Sequence, residues 1–153
     1  MKFSVLTLFP EMIQSYCSQS IIKRAVENGT IETEIINPRD FTLDKHKKVD
    51  DTPYGGGAGM VLMPQPYVDC YEGVNKTKNS ITLMMTPQGE PYNDAISNEL
   101  AQYEQIIILC GHYEGFDERI REIIKPREIS IGDFVLTVVS FRLFALLTVF
   151  QEK

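Results

Sequence analysis

The sequence has no run of the roughly 18 uninterrupted apolar residues that a membrane-spanning helix needs, so no membrane partner is expected. Its start, MKFSVLTLFPEM, lacks the basic region and cleavage pattern of a signal peptide, and a cytoplasmic location is the expectation. Cysteine is scarce. Cys17, Cys70 and Cys110 are odd in number and show no CxxC or Cys/His ligand spacing, which argues against a disulfide framework or a zinc site and for free thiols. No GxGxxG follows a strand and no GKS or GKT is present, so neither a dinucleotide fingerprint nor a phosphate loop is indicated. Positive charge is also short: 15 Lys and Arg stand against 21 Asp and Glu, a net charge of -6. Nonspecific grip on nucleic acid comes from neutralising phosphates, so any such contact must be local.

What is present suffices for one core and not for two ordinary domains: 153 residues, 43% of them apolar. Residues 2–9 form a β-branched and aromatic run, and residues 11–28 place Ile13, Cys17, Ile21 and Ala25 at helical spacing before Gly29. Residues 32–37 read as a second strand. Residues 38–59 have no apolar period and read as one long loop ending in GGGAGM, of a length that is usually functional or disordered. Helix and strand then alternate: helix 64–74, strand 80–85, a PQG turn, helix 94–103, strand 105–110, a GHYEGF turn, helix 117–124, strand 128–136. Residues 106–109, IIIL, are apolar on both faces, as in parallel sheets covered by helices on both sides. The expected fold class is therefore α/β, doubly wound, with a mainly parallel sheet.

Ligands of such sheets bind outside the carboxyl ends of the strands. Three successive strands end in glycine-bearing loops, at 86–89, at 111–115 and around Gly132. Glycine lets backbone groups come close to a ligand, which points to a small planar ligand held largely by backbone. His112 is a candidate acid or base, although a lone loop histidine is more often a hydrogen-bonding surface residue. Glu114, Asp117 and Glu118 are candidates for holding a divalent cation or for acid–base work. The rival explanation for Asp117 and Glu118 is that a helix N-terminus favours negative charge. Neither histidine sits in a nucleophile motif. GGGAGM reads better as a flexible loop than as a phosphate cradle. Lys45, His46, Lys47 and Lys48 are the one dense basic cluster, and the commoner role of such short runs is solvated surface.

In order and spacing, TLFPEM, NPRDFTLDKHKKVDDTPYGGGAGMVL, TPQG, LCGHYEGFDERI and EISIGDFVLT resemble the bacterial tRNA (guanine-N1) methyltransferases over residues 1–137. The resemblance implies a SPOUT-like, trefoil-knotted domain that works as a homodimer. It implies use of S-adenosylmethionine, with S-adenosylhomocysteine as product, and methylation of tRNA at N1 of the guanine 3′ of the anticodon. Pro87 and Gly89 match the family's PQG loop, and Gly111, Tyr113, Glu114 and Gly115 match its CGxYEG turn. Ile131, Gly132, Asp133, Phe134, Val135 and Leu136 match the segment whose backbone surrounds the adenine. Arg39, Lys45, Lys47 and Lys48, with Asp50, resemble a tRNA-facing segment. No metal ligand is implied, and a role for Mg2+ stays open. Two alternatives stand beside this reading: a binding module that keeps affinity for the donor or its by-product without turnover, and a nucleotide-binding α/β domain of another class.

After Thr137 the resemblance stops. The family continues with GGELPA, an apolar segment close to VIDAVSR that passes through the knot, and a C-terminal helical domain that binds tRNA. Here residues 138–153 read VVSFRLFALLTVFQEK, an atypical apolar tail behind a donor-binding domain at 1–137. The family's general base is an aspartate beyond the knot and its purine-side arginine follows VIDAVSR. Neither has a counterpart here, so no catalytic residue is assigned, donor binding without completed catalysis is expected, and knot closure is in question. Codons for GGELPALCVIDSVSRK, read one base later, spell this tail, which makes a frameshift the expected origin. Sequencing the gene across the Thr137 codon checks this, with a family-like reading one base away as the expected result. An intact frame with no such neighbour sinks the idea.

Overall fold

Ile106 and Ile108 face one side of their strand and Ile107 and Leu109 the other, so all four are buried only if helices cover both faces of the sheet. A computed structural model, which describes residues 1–112 and 114–134, shows that cover. The chain runs β1 (Lys2–Leu6), α1 (Pro10–Cys17), α2 (Ser20–Glu27), β2 (Glu32–Ile36), a 3-10 turn (Pro38–Phe41), β3 (Asp50–Asp51), β4 (Val61–Leu62), α3 (Pro64–Glu72), β5 (Ser80–Pro91), α4 (Asp94–Leu100), β6 (Gln105–Leu109), α5 (Glu118–Ile124) and β7 (Arg127–Ser130). Five strands form one sheet in the order β2-β1-β6-β5-β7, every neighbouring pair parallel. Ile106 and Ile108 pack with Phe3, Val5, Leu83 and Met85 against Ile13 of α1, Ile22 of α2 and Ile96 of α4. Ile107 and Leu109 pack with Leu6 and Met84 against Tyr67 of α3 and Ile120 of α5. The α/β class and the two-sided cover agree with the sequence reading.

The amino-terminal ends of the central strands are joined by a buried polar seam. Gln105 is fully buried, and its amide donates to Ser4 Oγ (2.9 Å) and to the Asn75 carbonyl (3.1 Å) while accepting from Thr77 N (2.8 Å). Ser4 Oγ in turn donates to Glu34 (2.9 Å), which pairs with Lys2 at 2.9 Å. A buried amide is tolerated only when its groups are satisfied, so this seam favours one register for β1, β2 and β6.

Four features depart from the sequence reading. The expected helix over 11–28 is two helices. Ser18 N closes α1 on Gln14 O (3.0 Å), Ser18 Oγ donates to Ser15 O (2.8 Å), and Ser20 takes φ +52°. Such hydroxyl-to-backbone bonds compete with helix continuation. The break shifts the phase, so Ile22 is buried and Ile21 is 54% exposed. The loop at 38–59 is not structureless, since it holds the 3-10 turn and β3, which pairs antiparallel with β4. The PQG segment is a bulge inside β5, with Ile129 opposite both Met85 and Glu90. The last strand ends at Ser130 rather than running on, because Ser130 Oγ bonds both Gly132 N (3.2 Å) and Gly132 O (3.0 Å) and turns the chain. Tyr113, Val135, Leu136 and the 138–153 tail, with any knot it closes, lie outside the described residues.

Gly89 is where the bulge presses on β7. A Cβ there meets the carbonyl carbon of Glu128 at 2.5 Å and Ile129 N at 2.6 Å, both backbone atoms that cannot rotate away. Gly89→Ala is therefore expected to destabilise the fold by roughly 1–3 kcal/mol, in the manner of overpacking. Urea unfolding checks it, and an unchanged midpoint contradicts the contact.

Candidate functional site

Parallel strands deliver their following loops to one end of the sheet. In β6, β5 and β7 the pairs Leu109 with Met84 and Met85 with Ile129 align those ends, and neighbouring strands lie about 4.8 Å apart, so the three loops emerge within roughly 10 Å. Pro87 and Gly89 stand at the β5 bulge. Gly111, Glu114 and Gly115 follow β6, and Ile131, Gly132, Asp133 and Phe134 follow β7. The register thus places every described residue of the expected ligand set at one end of the sheet. Glu114 and Asp133 are exposed on the two flanking loops.

The loop after β6 is anchored on several sides. Cys110 N donates to Leu6 O (3.0 Å), and the buried Tyr67 hydroxyl donates to Cys110 O (3.2 Å). Glu114 N donates to Met60 O (3.0 Å), Leu62 N to Gly115 O (2.9 Å) and Asp117 N to Leu62 O (3.1 Å). These bonds lay the end of the GGGAGM segment alongside the loop. Gly59, at φ +90°, sits so close that an added Cβ meets Glu114 Cγ at 2.3 Å. The segment is therefore pinned at its far end rather than free along its length. A Cβ built at Gly111 meets the Phe116 ring at 2.8 Å and one at Gly132 meets the Phe134 ring, whereas Gly115, at φ +120°, has nothing within 4 Å.

Several candidate side chains are accounted for structurally. Asp117 caps α5, accepting from Arg119 N (2.9 Å) and holding the Arg119 guanidinium at 2.9 and 2.8 Å. The Arg119 hydrogen bond holds its carboxyl below the usual range. Glu118 pairs with Arg121 at 3.2 Å. Cys17, Cys70 and Cys110 are free thiols, and all three are buried. Burial pushes the Cys70 and Cys110 thiols up to about 12, so neither supplies a thiolate nucleophile at neutral pH. His112 meets the Phe9 ring edge-on at 4.9 Å. Burial lowers its pKa below the ordinary 6.5, partly opposed by the Asp50 carboxylate. Among the described residues no three His, Cys, Asp or Glu side chains converge as a metal-binding group.

The basic segment is a shaped loop after β2. Asp44 accepts from His46 N (2.7 Å) and Lys48 N (3.1 Å), and Thr42 Oγ1 donates to Lys48 O (2.8 Å). Arg39 spends its guanidinium on Lys47 O (2.9 Å), Lys48 lies 3.7 Å from Asp51, and Asp50 pairs with Leu62 in the β3–β4 ribbon. Arg39 and Asp50 thus build the loop, while Lys45 and Lys47 are exposed on it. Sequence reasoning passed over Tyr54 and Arg119, whose ring and guanidinium carbon lie 5.9 Å apart beside this site.

The family model described as tRNA (Guanine-1)-methyltransferase TrmD matches residues 1–149. A tRNA (guanine-N(1)-)-methyltransferase of Clostridioides difficile is 54% identical over 140 residues, covering 90% of this chain and 61% of that protein. Its counterpart in Desulforamulus reducens is 52% identical over 141 residues, covering 90% of this chain and 55% of its own. The chain thus spans a little over half the length of these relatives. The crystal structure of tRNA (m1G37) methyltransferase from Aquifex aeolicus superimposes with TM-score 0.88 at 38% identity, over 99% of this chain and 69% of that one.

The lowered pKa of His112 means that the fold prefers the neutral imidazole. The stability tied to that preference is complete above the ordinary value of 6.5 and is lost as pH falls through it towards the folded value. Thermal melts between pH 5 and 8 are expected to show a smaller acid-side loss for His112→Gln than for the parent. Identical pH profiles rule this out.

Proposed function

The chain belongs to the tRNA (guanine-1)-methyltransferase family, and on that premise we propose that residues 1–137 form an S-adenosylmethionine-binding domain serving methyl transfer to guanine N1 of tRNA. The observation that carries this reading is that the β5 bulge and the loops after β6 and β7 lie at one end of a parallel sheet. When bound, S-adenosylmethionine supplies an electrophilic methyl group on a cationic sulfur. The backbone around Gly89, Gly111 and Gly132, with Pro87, Gly115 and Ile131 beside it, would hold the adenine and ribose, and Tyr113, Phe134, Val135 and Leu136 belong to the same proposed set. The exposed carboxylates of Glu114 and Asp133 suit the positive sulfur. N1 of guanine must lose a proton for the transfer, and no base is assigned to this chain.

For the acceptor, Lys45, Lys47 and Lys48 would offer a local cationic face to tRNA phosphates on a chain of net charge -6, with Arg39 and Asp50 shaping the loop. Family membership supports a cytoplasmic homodimer. No step is assigned to Mg2+, because no three donor side chains converge among the described residues. A second reading, a module that binds donor or by-product without turnover, rests on VVSFRL standing after Thr137 where the family resemblance implies GGELPA.

Titration calorimetry with S-adenosylhomocysteine is expected to show saturable binding, and its absence counts against both readings. A methylation assay with tRNA carrying guanine after the anticodon separates them. Turnover supports methyl transfer by this chain, and donor binding without turnover supports the second reading.

A further inference from the structure

Tyr54 is 96% exposed, although tyrosine usually buries much of its ring. Burial therefore does not explain an aromatic residue at this position. Its surroundings are ordered by Arg119, whose guanidinium carbon lies 5.9 Å from the ring centroid. Arg119 is itself held by two bonds to Asp117, the residue that caps α5. Tyr54 and Arg119 border a cleft of about 490 Å³ that Val61 and Phe116 also line. The β4 residue Leu62 and Phe116 form a parallel bridge, so the cleft adjoins the loop after β6.

We propose that Tyr54, positioned by Arg119, is a shelf on which an unpaired base of the RNA substrate stacks beside the donor loops. This rests on the methyltransferase reading above. Single-stranded RNA is recognised largely by stacking unpaired bases on aromatic rings, and an open tyrosine next to a fixed guanidinium is such a surface. The charges favour a base over a phosphate. Arg119 is already neutralised by Asp117 and Glu118 of the cleft is paired with Arg121, so the pairs offer little net attraction to a phosphate, while the Tyr54 ring face can stack with any base.

The test is the affinity of the chain for an anticodon stem-loop oligonucleotide with guanine 3′ of the anticodon, read by fluorescence anisotropy. Wild type is compared with Tyr54→Ala, Tyr54→Leu and Tyr54→Phe, with S-adenosylhomocysteine calorimetry on the same preparations. Tyr54→Ala and Tyr54→Leu are expected to weaken RNA binding by roughly 5- to 150-fold, the range for loss of one stacked base. Tyr54→Phe keeps the affinity, and donor binding stays unchanged throughout. Unchanged RNA affinity in Tyr54→Ala, or recovery in Tyr54→Leu, overturns the shelf and leaves the donor reading standing. A wild-type chain with no RNA affinity overturns the shelf and the proposed contact of Lys45, Lys47 and Lys48 with tRNA, and leaves the donor reading standing. RNA binding that depends on Tyr54 without donor binding overturns the donor reading alone.

Discussion

A strand with five buried side chains has no face to leave in water, and β6 is such a strand. Ile106, Ile107, Ile108 and Leu109 together contribute about 6–12 kcal/mol at 1.5–3 kcal/mol for each buried side chain, as large as the net stability of an ordinary domain. That contribution is realised only if β1 and β5 flank the strand and helices cover both faces. The alternation of the isoleucines then divides the interior into two cores, one under α1, α2 and α4 and the other under α3 and α5. The polar seam at Gln105 ties the entering ends of β6, β1 and β2, so the exits after Leu109, Leu6 and Ile36 stay level.

The candidate site inherits its precision from that frame. The loop after β6 is bonded to β1 through Cys110, to α3 through Tyr67 and to the GGGAGM segment through Gly115 and Glu114. The β5 bulge is seated by Gly89 against the backbone of β7. Several glycines at this end owe their identity first to contacts within the protein, and only through those contacts to any ligand. A substitution at Gly59 would therefore displace Glu114 without touching the sheet.

Legibility in the sequence followed how local the cause was. The two-faced run at 106–109 announced a covered parallel sheet because burial on both sides leaves no polar alternation to confuse it. The break between α1 and α2 was hidden, since Ile21 and Ile22 are both apolar and either phase fits a helix. The β5 bulge was hidden because Thr-Pro-Gln-Gly reads as a turn, whereas pairing resumes at Glu90 through contact with β7, distant in sequence. Gly59 and Glu114 meet across the fold, and no spacing in a single sequence reports that. Tyr54 escaped notice because periodicity finds aromatic residues that pack and says nothing of one held in the open. The family motifs supplied what periodicity lacked, naming a ligand set whose described members stand at one end of the sheet.

Charge placement connects the proposed donor and acceptor. A chain of net charge -6 suits a cationic sulfonium and repels a polyanion, so both are served only if the charges are segregated. The sheet order does this. The segment carrying Lys45, Lys47 and Lys48 leaves the sheet from β2, while Asp133 leaves it from β7, at the opposite edge. Four strand spacings separate those exits, roughly 19 Å, against a Debye length of about 8 Å at physiological ionic strength. That spacing separates the basic segment's exit from that of Asp133, whereas Glu114, on the loop after β6, leaves the sheet only two spacings from β2. The β3–β4 ribbon then bridges the two, through Val49 to Met63 and through Leu62 to Gly115, joining the basic loop to the donor loops by backbone bonds rather than by charge.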